Sequence, residues 1–485
     1  MKKFLSLLLV LIFSAVALSA CSTDEIKNSD TGDVVEKMDL GGTEYIILQT
    51  QHEVNSVVMD NVLGYEVNTQ LGDNALQRLK DIEAAYNCKI TLEDRKHAGP
   101  FTQAVTAAMA TGDHLADILH TSSQSIRPIA KAGGCVPLDD VSDIIDYTDY
   151  DKWGGPNEQE MSMCYGVRYG VVPVRWIFKA SSAYYMIAVN SDIVQMMNQP
   201  DPREYLEKKE WTREKLVECI VNYTDLSREP KIFGMAVEPS HFVRMAIMGN
   251  NVKLAAVAED GTIKSGWNTP GAVDAVTWVR DLLEQHKDKF YNRMASADPW
   301  SYYDKPFMKG EAAMYLTSAW KILNEIAYDM ENFAIMPFPA GPMAEYGEWP
   351  GFYEETGTVA IPTFTDDPIV SANLINDIFE PLEAYPDKNS ILNYYKTNVF
   401  LDPRDAEVFF SNQKYAQYSY WVEGGDAVVG TAVQAVTGKK SPAEALSATV
   451  DVMQKVIDSD ILANWIAMDK NGMGKYAAEH NIVVE

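Results

Sequence analysis

The sequence predicts an α/β protein in which a mainly parallel sheet is flanked by helices. Three short apolar segments, each followed by a helical pattern, occur soon after position 40. This β-α-β-α-β-α order is typical of a parallel sheet, because parallel neighbours need a crossover connection that a helix supplies. The chain has 485 residues, which is more than one ordinary domain core needs and enough for two lobes.

Periodicity and turn residues place the individual elements. The strand patterns lie at 44–48, 88–92 and 116–119, and the helical patterns that follow them lie at 68–86, 101–110 and 122–132. Further helices are predicted at 213–222, after a capping Thr212, and at 270–285, where apolar residues recur every three or four positions. Ser441 and Glu444 form a capping-box pattern with Pro442 at the first helical position, which predicts another helix near the end.

The first twenty-one residues have the pattern of a bacterial export signal. Lys2 and Lys3 precede a mostly apolar run at 4–17, which is too short for a comfortable membrane span. The Leu-Ser-Ala-Cys tetrapeptide at 18–21 resembles the lipobox of bacterial lipoproteins. We therefore predict a lipoprotein signal peptide at 1–20, lipidation of Cys21, and a polar tether at 21–39 that holds the protein on the outer side of the cell membrane. An ordinary cleaved signal with a coincidental cysteine is the alternative.

The charge balance excludes one class of partner. The chain has 69 acidic and 41 basic side chains, for a formal net charge of −28. Nucleic-acid binding needs clustered Lys and Arg, so we predict no nucleic-acid partner. The same balance argues weakly against strongly anionic ligands, and solubility is the simplest reason for the acidity.

The remaining cysteines leave the redox state open. Cys88, Cys135, Cys164 and Cys219 are widely spaced and contain no Cys-x-x-Cys pair, so neither a zinc site nor a redox pair is indicated. Two disulfides in any of three pairings and four buried thiols are both compatible with this spacing.

No sequence motif indicates catalysis. Nucleophile-elbow, zinc-protease and dinucleotide-binding motifs are missing from the sequence. Glu354 and Glu355 are adjacent, and neighbours on an extended segment point to opposite faces, which is poor geometry for an acid–base pair. We predict a protein that is not an enzyme and that carries no cofactor and no metal.

Six segments carry motifs that occur together in one known family. They are 112–118 (Gly-Asp-His-Leu-Ala-Asp-Ile), 132–139 (Ala-Gly-Gly-Cys-Val-Pro-Leu-Asp), 184–194 (with Val-Asn-Ser-Asp-Ile at 189–193), 211–216 (Trp-Thr-Arg-Glu-Lys-Leu), 307–320 (Phe-Met-Lys-Gly-Glu-Ala-Ala-Met through Trp) and 336–342 (Met-Pro-Phe-Pro-Ala-Gly-Pro). In this order, and after a lipobox-like start, they resemble the extracellular solute-binding proteins (family 1) of carbohydrate ABC importers.

The resemblance implies a two-lobed periplasmic-binding-protein-like fold of type II. Each lobe is expected to contain a mainly parallel sheet flanked by helices, with a ligand cleft between the lobes. The expected boundaries are 40–184 plus 358–400 for the first lobe and 185–357 plus 401–485 for the second. Leu115 stands where the family commonly has proline, and Ser318-Ala319 where glycine is common before Trp320. The stretches 146–182 and 344–356 are longer than in the smaller sugar binders.

The resemblance also implies a function. The chain is expected to capture a carbohydrate, an oligosaccharide above all, by lobe closure and to deliver it to the transmembrane subunits of an ABC permease, as a monomer. The predicted ligand contacts are aromatic rings and their polar neighbours. They are Trp320, Trp349, Tyr353, Glu354, Trp421, Trp176, Arg175, Thr121, Ser122 and Ser123.

Each ligand contact has a structural alternative, and so has the function. Trp349 and Tyr353 are also expected in packing between the lobes, and Ser122 and Ser123 as helix caps. The same fold can bind a peptide or another polar solute, or serve as a sensor subunit. A glycan-active surface enzyme is the third hypothesis.

Overall fold

Two five-stranded sheets, each covered by helices, form the core of the protein in the computed structural model. The structure describes residues 37–54, 57–59, 61–96, 98–176, 185–258, 260–291, 304–353, 355–411, 416–420 and 426–470. The predicted signal peptide, Cys21, Glu354 and Trp421 lie outside these described residues. Both sheets belong to one compact unit that begins at Leu40.

The strands are short apart from the first. They are β1 (Glu44–Val54), β2 (Val57–Met59), β3 (Asn61–Val62), β4 (Tyr65–Glu66), β5 (Lys89–Lys96), β6 (Ile118–Ser122), β7 (Met163–Cys164), β8 (Val167–Arg168), β9 (Tyr185–Asn190), β10 (Phe233–Ala236), β11 (Ala255–Val257), β12 (Ile263–Ser265), β13 (Phe290–Tyr291), β14 (Ala312–Ser318), β15 (Phe333–Met336), β16 (Gly351–Tyr353), β17 (Gly357–Ala360) and β18 (Ala416–Tyr418).

The α-helices lie between and after these strands. They are α1 (Gln70–Tyr86), α2 (Ala98–Thr111), α3 (Ser123–Lys131), α4 (Tyr150–Trp153), α5 (Pro156–Glu160), α6 (Ser191–Met196), α7 (Arg203–Glu207), α8 (Arg213–Asn222), α9 (Pro239–Gly249), α10 (Pro270–Gln285), α11 (Asp304–Met308), α12 (Ala319–Lys321), α13 (Ala327–Asp329), α14 (Pro368–Ile378), α15 (Lys388–Tyr394), α16 (Pro403–Ser411), α17 (Asp426–Val436), α18 (Pro442–Ser447), α19 (Val450–Val456) and α20 (Leu462–Lys470). Short 3₁₀ turns occur at Leu138–Val141, Gly266–Asn268 and Lys287–Lys289, and π-helical turns at Ile322–Ile326, Tyr395–Val399 and Ile457–Ile461.

The first sheet, which defines the first lobe, is built as the sequence predicts. β1 lies between β5 and β6 and is parallel to both, β17 pairs with β6 in the antiparallel direction, and β2 extends β1 as a hairpin. Side chains alternate between the two faces, because Ile47 packs with α1 and α14 whereas Leu48 packs with α2 and α3. Helices therefore cover both faces.

The second sheet defines the second lobe and has the order β13-β10-β14-β9-β15. β13, β10 and β14 are parallel, and β9 runs antiparallel to both of its neighbours. One face packs on α8, α9 and α10, and the other face packs on Phe307 and on apolar residues from 391–409. This second cluster contains Ile391, Tyr395 and Phe400, so the packing of α15 favours the second lobe rather than the predicted first-lobe segment 358–400.

Asp117 explains the acidic motif at 112–118. One of its carboxylate oxygens accepts the Ile46 N–H at 2.8 Å, and the other accepts the Thr365 hydroxyl at 3.0 Å and lies 2.8 Å from Nε2 of His114. The side chain is buried. Asp117 therefore joins β1, the start of β6 and the segment after β17, and its role is structural.

Gly341 explains the turn motif at 336–342. A Cβ at this position would lie 1.9 Å from Oδ1 of Asn250 and 2.4 Å from Nη2 of Arg213. The Gly341 N–H donates to the Gly249 carbonyl at 2.6 Å, and the Trp211 indole N–H donates to the Pro337 carbonyl at 2.8 Å. The motif therefore needs glycine because the loop passes directly over the buried Arg213 guanidinium.

A buried ion pair joins α3 to the C-terminal helices. Nη2 of Arg127 donates to Oδ2 of Asp460 at 2.9 Å, and Lys131 Nζ donates to the same oxygen at 2.9 Å. Nearby, Oε1 of Glu160 accepts the Trp465 indole N–H at 2.7 Å and the Tyr420 hydroxyl. These groups lie on segments from both lobes, so an ion pair and hydrogen bonds link the C-terminal helices to the first lobe.

The four cysteines that are described form no disulfide with one another. Cys135, Cys164 and Cys219 are buried, and Cys88 is half-buried. Burial raises the pKa of the Cys219 thiol to about 11 and raises that of Cys135 still further. Of the two possibilities that the spacing left open, the structure shows the thiols. Within the described ranges, no helix has the length and the apolar character that crossing a membrane requires.

Candidate functional site

Two of the chain crossings between the lobes enter a sheet at the same kind of edge. The first crossing leads into Tyr185, which starts β9 and pairs with Ser318, the last residue of β14. The second leads into Gly357, which starts β17 and pairs with Ser122, the last residue of β6. Each of these crossings therefore enters its sheet at the carboxyl end of a parallel strand, which is the edge where open α/β sheets bind ligands.

Hydroxyl groups occupy the first-lobe edge. Thr121 shares a short hydrogen bond with the hydroxyl of Thr50. Ser123 is bound to Thr356, because its N–H donates to the Thr356 carbonyl at 2.9 Å and its Oγ accepts the Thr356 N–H at 3.2 Å. Ser122 is the N-cap residue of α3 but makes no capping bond, and among the described residues its hydroxyl has no hydrogen-bond partner. Of the three predicted contacts here, Ser122 alone has a hydroxyl without a partner among the described residues, and that oxygen is buried.

Trp320 lies on the matching edge of the second sheet. It follows β14 in the one-turn helix α12, and its side chain is half-buried. Ser318 replaces the family's usual glycine and caps this turn, since its Oγ accepts the Lys321 N–H at 3.2 Å. A π-helical turn at Ile322–Ile326 follows directly, and such turns are frequent at functional sites.

Glu238 and His241 lie on the same edge, and the sequence analysis missed both. They belong to the first turn of α9, which follows β10. Oε2 of Glu238 accepts the His241 N–H at 3.0 Å and also the hydroxyl of Ser240. The sequence signal was a helix-capping acidic residue followed by Pro239 at the first helical position, directly after an apolar strand.

His241 is held neutral in this environment. Burial, and more weakly the Arg244 guanidinium, lower the pKa of His241 to about 3. Its Nε2 lies 2.8 Å from the Tyr185 hydroxyl, and its Nδ1 lies 3.5 Å from Oε2 of Glu238. The imidazole side chain remains 22% exposed. The start of α9 therefore presents the uncharged His241 ring beside the Glu238 carboxylate.

A two-stranded ribbon of β16 and β18 lies between the lobes. Tyr353 is buried, and its hydroxyl lies 3.5 Å from Oε1 of Glu158. Burial raises the pKa of the Glu158 carboxyl and holds that of Tyr353 well above its usual value. On the opposite face of the ribbon, Phe352 stacks on Tyr185 with ring centroids 4.6 Å apart. The ribbon thus contacts Tyr185, which starts β9, through Phe352, and Glu158 of α5 through Tyr353.

The pattern of the bacterial extracellular solute-binding proteins matches residues 68–368 of this chain, which is more than half of its length. The chain belongs to this family. The fold, the pair of lobes and the position of the cleft edges agree with that membership, and the family consists of binding proteins rather than enzymes.

Solved structures of solute-binding proteins have the same fold. A cyclic α-maltosyl-1,6-maltose binding protein from Arthrobacter globiformis has a TM-score of 0.62 at 13% identity, over 86% of this chain and 99% of that chain. An ABC substrate-binding protein from Listeria monocytogenes in complex with cycloalternan has a TM-score of 0.59 at 15% identity, over 86% and 99%. A maltose-maltodextrin binding protein from Alicyclobacillus acidocaldarius has a TM-score of 0.54 at 17% identity, over 85% and 100%. No curated protein sequence matches the chain.

Trp176 and Arg175 of this solute-binding protein lie just before the first crossing. Trp176 is fully buried, its indole N–H donates to the Leu63 carbonyl at 3.2 Å, and its ring packs on Phe379. This position favours packing in the first lobe over ligand contact. Arg175 is half-buried, and its Nε has no hydrogen-bond partner among the described residues.

Trp349 and Tyr353 occupy positions that match their structural alternative. Trp349 is half-buried, packs against the core of the second lobe and meets the Tyr346 ring edge-on at 4.9 Å. Tyr353 is enclosed by the ribbon and Glu158. The predicted contacts at Glu354 and Trp421 fall on residues that the structure does not describe. The structure therefore places Trp320, Glu238 and His241 along the edge of the second sheet and Ser122 on the edge of the first.

Proposed function

We propose that this solute-binding protein captures an oligosaccharide between its lobes and delivers it to the transmembrane subunits of an ABC permease, acting as a monomer. The observation that carries the proposal is that the half-buried Trp320 follows β14 and Glu238 follows the neighbouring β10, so that both lie at the carboxyl edge of the second sheet. A sugar presents a flat face of C–H groups and an edge of hydroxyls, so it needs an aromatic ring beside polar acceptors. The similar structures include a complex with cycloalternan, a cyclic α-maltosyl-1,6-maltose binding protein and a maltose-maltodextrin binding protein, which supports this ligand class.

The energetics are compatible with this arrangement. Closure replaces the water around the ligand with fixed contacts and shifts the open–closed equilibrium through the better fit of the closed state. A micromolar Kd corresponds to about −8 kcal/mol. One stacked ring and several hydrogen bonds can supply that amount after the cost of ordering the ligand.

Replacing Trp320 with alanine tests the site. We expect Trp320→Ala to lose most of the sugar affinity, because the stacking surface is removed, while the fold stays intact. The measurement is isothermal titration calorimetry with linear and cyclic α-glucans, after a thermal-shift screen that also contains peptides, since a ligand that binds only the folded state raises the melting temperature.

Tyr328 provides the matched control for this experiment. It is an 80% exposed aromatic residue on the next helix, so Tyr328→Ala should bind sugar like the parent protein. Unchanged affinity in Trp320→Ala would refute the site. A thermal shift with peptides alone would refute the sugar, and release of shorter sugars over time would indicate an enzyme.

We further propose that lipid on Cys21 anchors the protein to the outer side of the cell membrane. The lipobox-like tetrapeptide at 18–21 supports this anchor. In the native host, Cys21→Ser should move the protein from the membrane fraction to the soluble fraction, whereas Ser22→Ala should leave it in the membrane. A Cys21→Ser protein that stays in the membrane fraction would exclude this anchor.

A further inference from the structure

The Glu238 carboxylate has one committed and one uncommitted oxygen. Oε2 accepts the His241 N–H at 3.0 Å and the Ser240 hydroxyl, and it faces Nδ1 of the His241 ring at 3.5 Å. Oε1 has no hydrogen-bond partner within the described part of the chain, and the side chain is 36% exposed. A carboxylate that is fixed through one oxygen can offer the other oxygen to a donor in the cleft.

The His241 ring is one of three contacts at this carboxylate, beside the His241 N–H and the Ser240 hydroxyl. A carboxylate only accepts hydrogen bonds, so we assign the ring proton to Nδ1, which faces Glu238. Nε2 then accepts the Tyr185 hydroxyl at 2.8 Å. The Tyr185 and His241 ring centroids are 4.2 Å apart, so the two rings also pack on each other. Tyr185, His241 and Glu238 thus form a chain of contacts that ends at the open oxygen.

Tyr185 also belongs to the connection between the lobes. It starts β9 directly after the first crossing and is 6% exposed. Its ring stacks on Phe352, which lies in β16 shortly before the second crossing, with an angle of 20° between the rings. The Arg244 guanidinium lies 4.4 Å from the centre of the Phe352 ring. Tyr185 therefore lies beside the first crossing and contacts Phe352, which lies beside the second.

We propose that Tyr185 and His241 are positioning residues, which hold the Glu238 carboxylate so that its Oε1 accepts a hydroxyl group of the ligand. This inference rests on the proposed sugar-binding function and assigns part of that site. It also connects a ligand contact to the two crossings, since displacement of Tyr185 moves His241 and, through His241, Glu238.

Tyr185→Phe removes the hydroxyl and keeps the stacked ring. We expect the affinity for the sugar that the thermal-shift screen selects to fall about tenfold, which is the effect of one hydrogen bond. Glu238→Gln keeps the helix cap and the shape but weakens the acceptor, so it should lower the affinity by a similar factor. Tyr86→Phe is the matched control, because it also removes a tyrosine hydrogen bond, to Asp377 at 2.7 Å in the first lobe, and should leave the affinity unchanged.

The pKa of His241 provides a second measurement, because it reports directly on the hydrogen bond between Tyr185 and the His241 ring. The groups that face this ring are Glu238 and Arg244 on its own helix and Tyr185 on β9. The Tyr185 hydroxyl donates to the neutral ring and so opposes protonation. In Tyr185→Phe the pKa of His241 should therefore rise, which histidine NMR titration can follow.

The outcomes separate this inference from the proposed function. If the parent protein binds sugar and both Tyr185→Phe and Glu238→Gln bind it equally well, the positioning role is wrong and the function stands. If no sugar binds, the function fails, and the NMR titration still decides the contact. A raised pKa of His241 then supports the arrangement, and an unchanged pKa overturns it.

Discussion

Two helices begin at the cleft, α3 in the first lobe and α9 in the second, and they use their polar residues differently. In α3, Ser123 is bonded to Thr356, and Arg127 and Lys131 are bonded to Asp460. In α9, the capping carboxylate of Glu238 keeps one oxygen uncommitted, and His241 is partly exposed. The first helix therefore holds the two lobes together, whereas the second presents groups to the cleft.

The comparison shows that residues which stabilise the fold and residues which are proposed to contact the ligand can lie in different helices of one protein. The bonds of α3 reach residues that are more than two hundred positions away, so they fix long-range geometry. The bonds of α9 near the cleft are mostly within its first turn and orient a local group. Substitutions in α3 and its partners should therefore act mainly on stability, and substitutions in the first turn of α9 mainly on affinity.

The largest effect is expected when the buried anchor of α3 is removed. Asp460 and Arg127 are 2% and 0% exposed at their side chains. Asp460→Ala leaves the Arg127 charge buried without its carboxylate, which should lower the free energy of unfolding by about 3–5 kcal/mol. Urea denaturation followed by circular dichroism measures this change.

Asp458 is the matched control for this prediction. It lies on the same π-helical turn, it is exposed, and its carboxylate accepts the Gln454 side chain at 2.8 Å. Asp458→Ala should change the free energy of unfolding by less than about 0.5 kcal/mol. Equal effects of the two variants would mean that the ion pair with Arg127 does not anchor α3.

Local sequence patterns predicted several of the helices and strands of the two lobes. The helices predicted at 213–222 and 270–285 coincide with α8 and α10, because Thr212 and Thr269 accept the N–H groups of Lys215 and Ala272 as N-caps. The strand predicted at 44–48 is the start of β1. Capping and periodicity involve residues that are close in sequence, so these elements were predictable.

The site was less predictable because its contacts are not local. Tyr185 and His241 are 56 positions apart, and neither residue has a local pattern that indicates the other. Trp176 shows the reverse case, since an aromatic residue near a crossing looks like a ligand contact in sequence and is fully buried in the structure. Residue type alone does not say which side of a strand faces the cleft.

The smallest effects distinguish two neighbouring serines at the start of α3. Ser123→Ala removes the acceptor of the buried Thr356 N–H, which should lower the free energy of unfolding by about 1–3 kcal/mol. Ser122→Ala removes a hydroxyl that has no partner in the described structure, so the free energy of unfolding should change by less than about 0.5 kcal/mol.

Sugar affinity should follow the opposite order in these two variants. If Ser122 donates to the ligand, Ser122→Ala should lower the affinity several-fold, by about 1 kcal/mol, while Ser123→Ala leaves it nearly unchanged. Calorimetry on both variants decides the matter. Equal affinity in Ser122→Ala and the parent protein would remove the last predicted contact from the first-lobe edge, and α9 with Trp320 would then carry recognition alone.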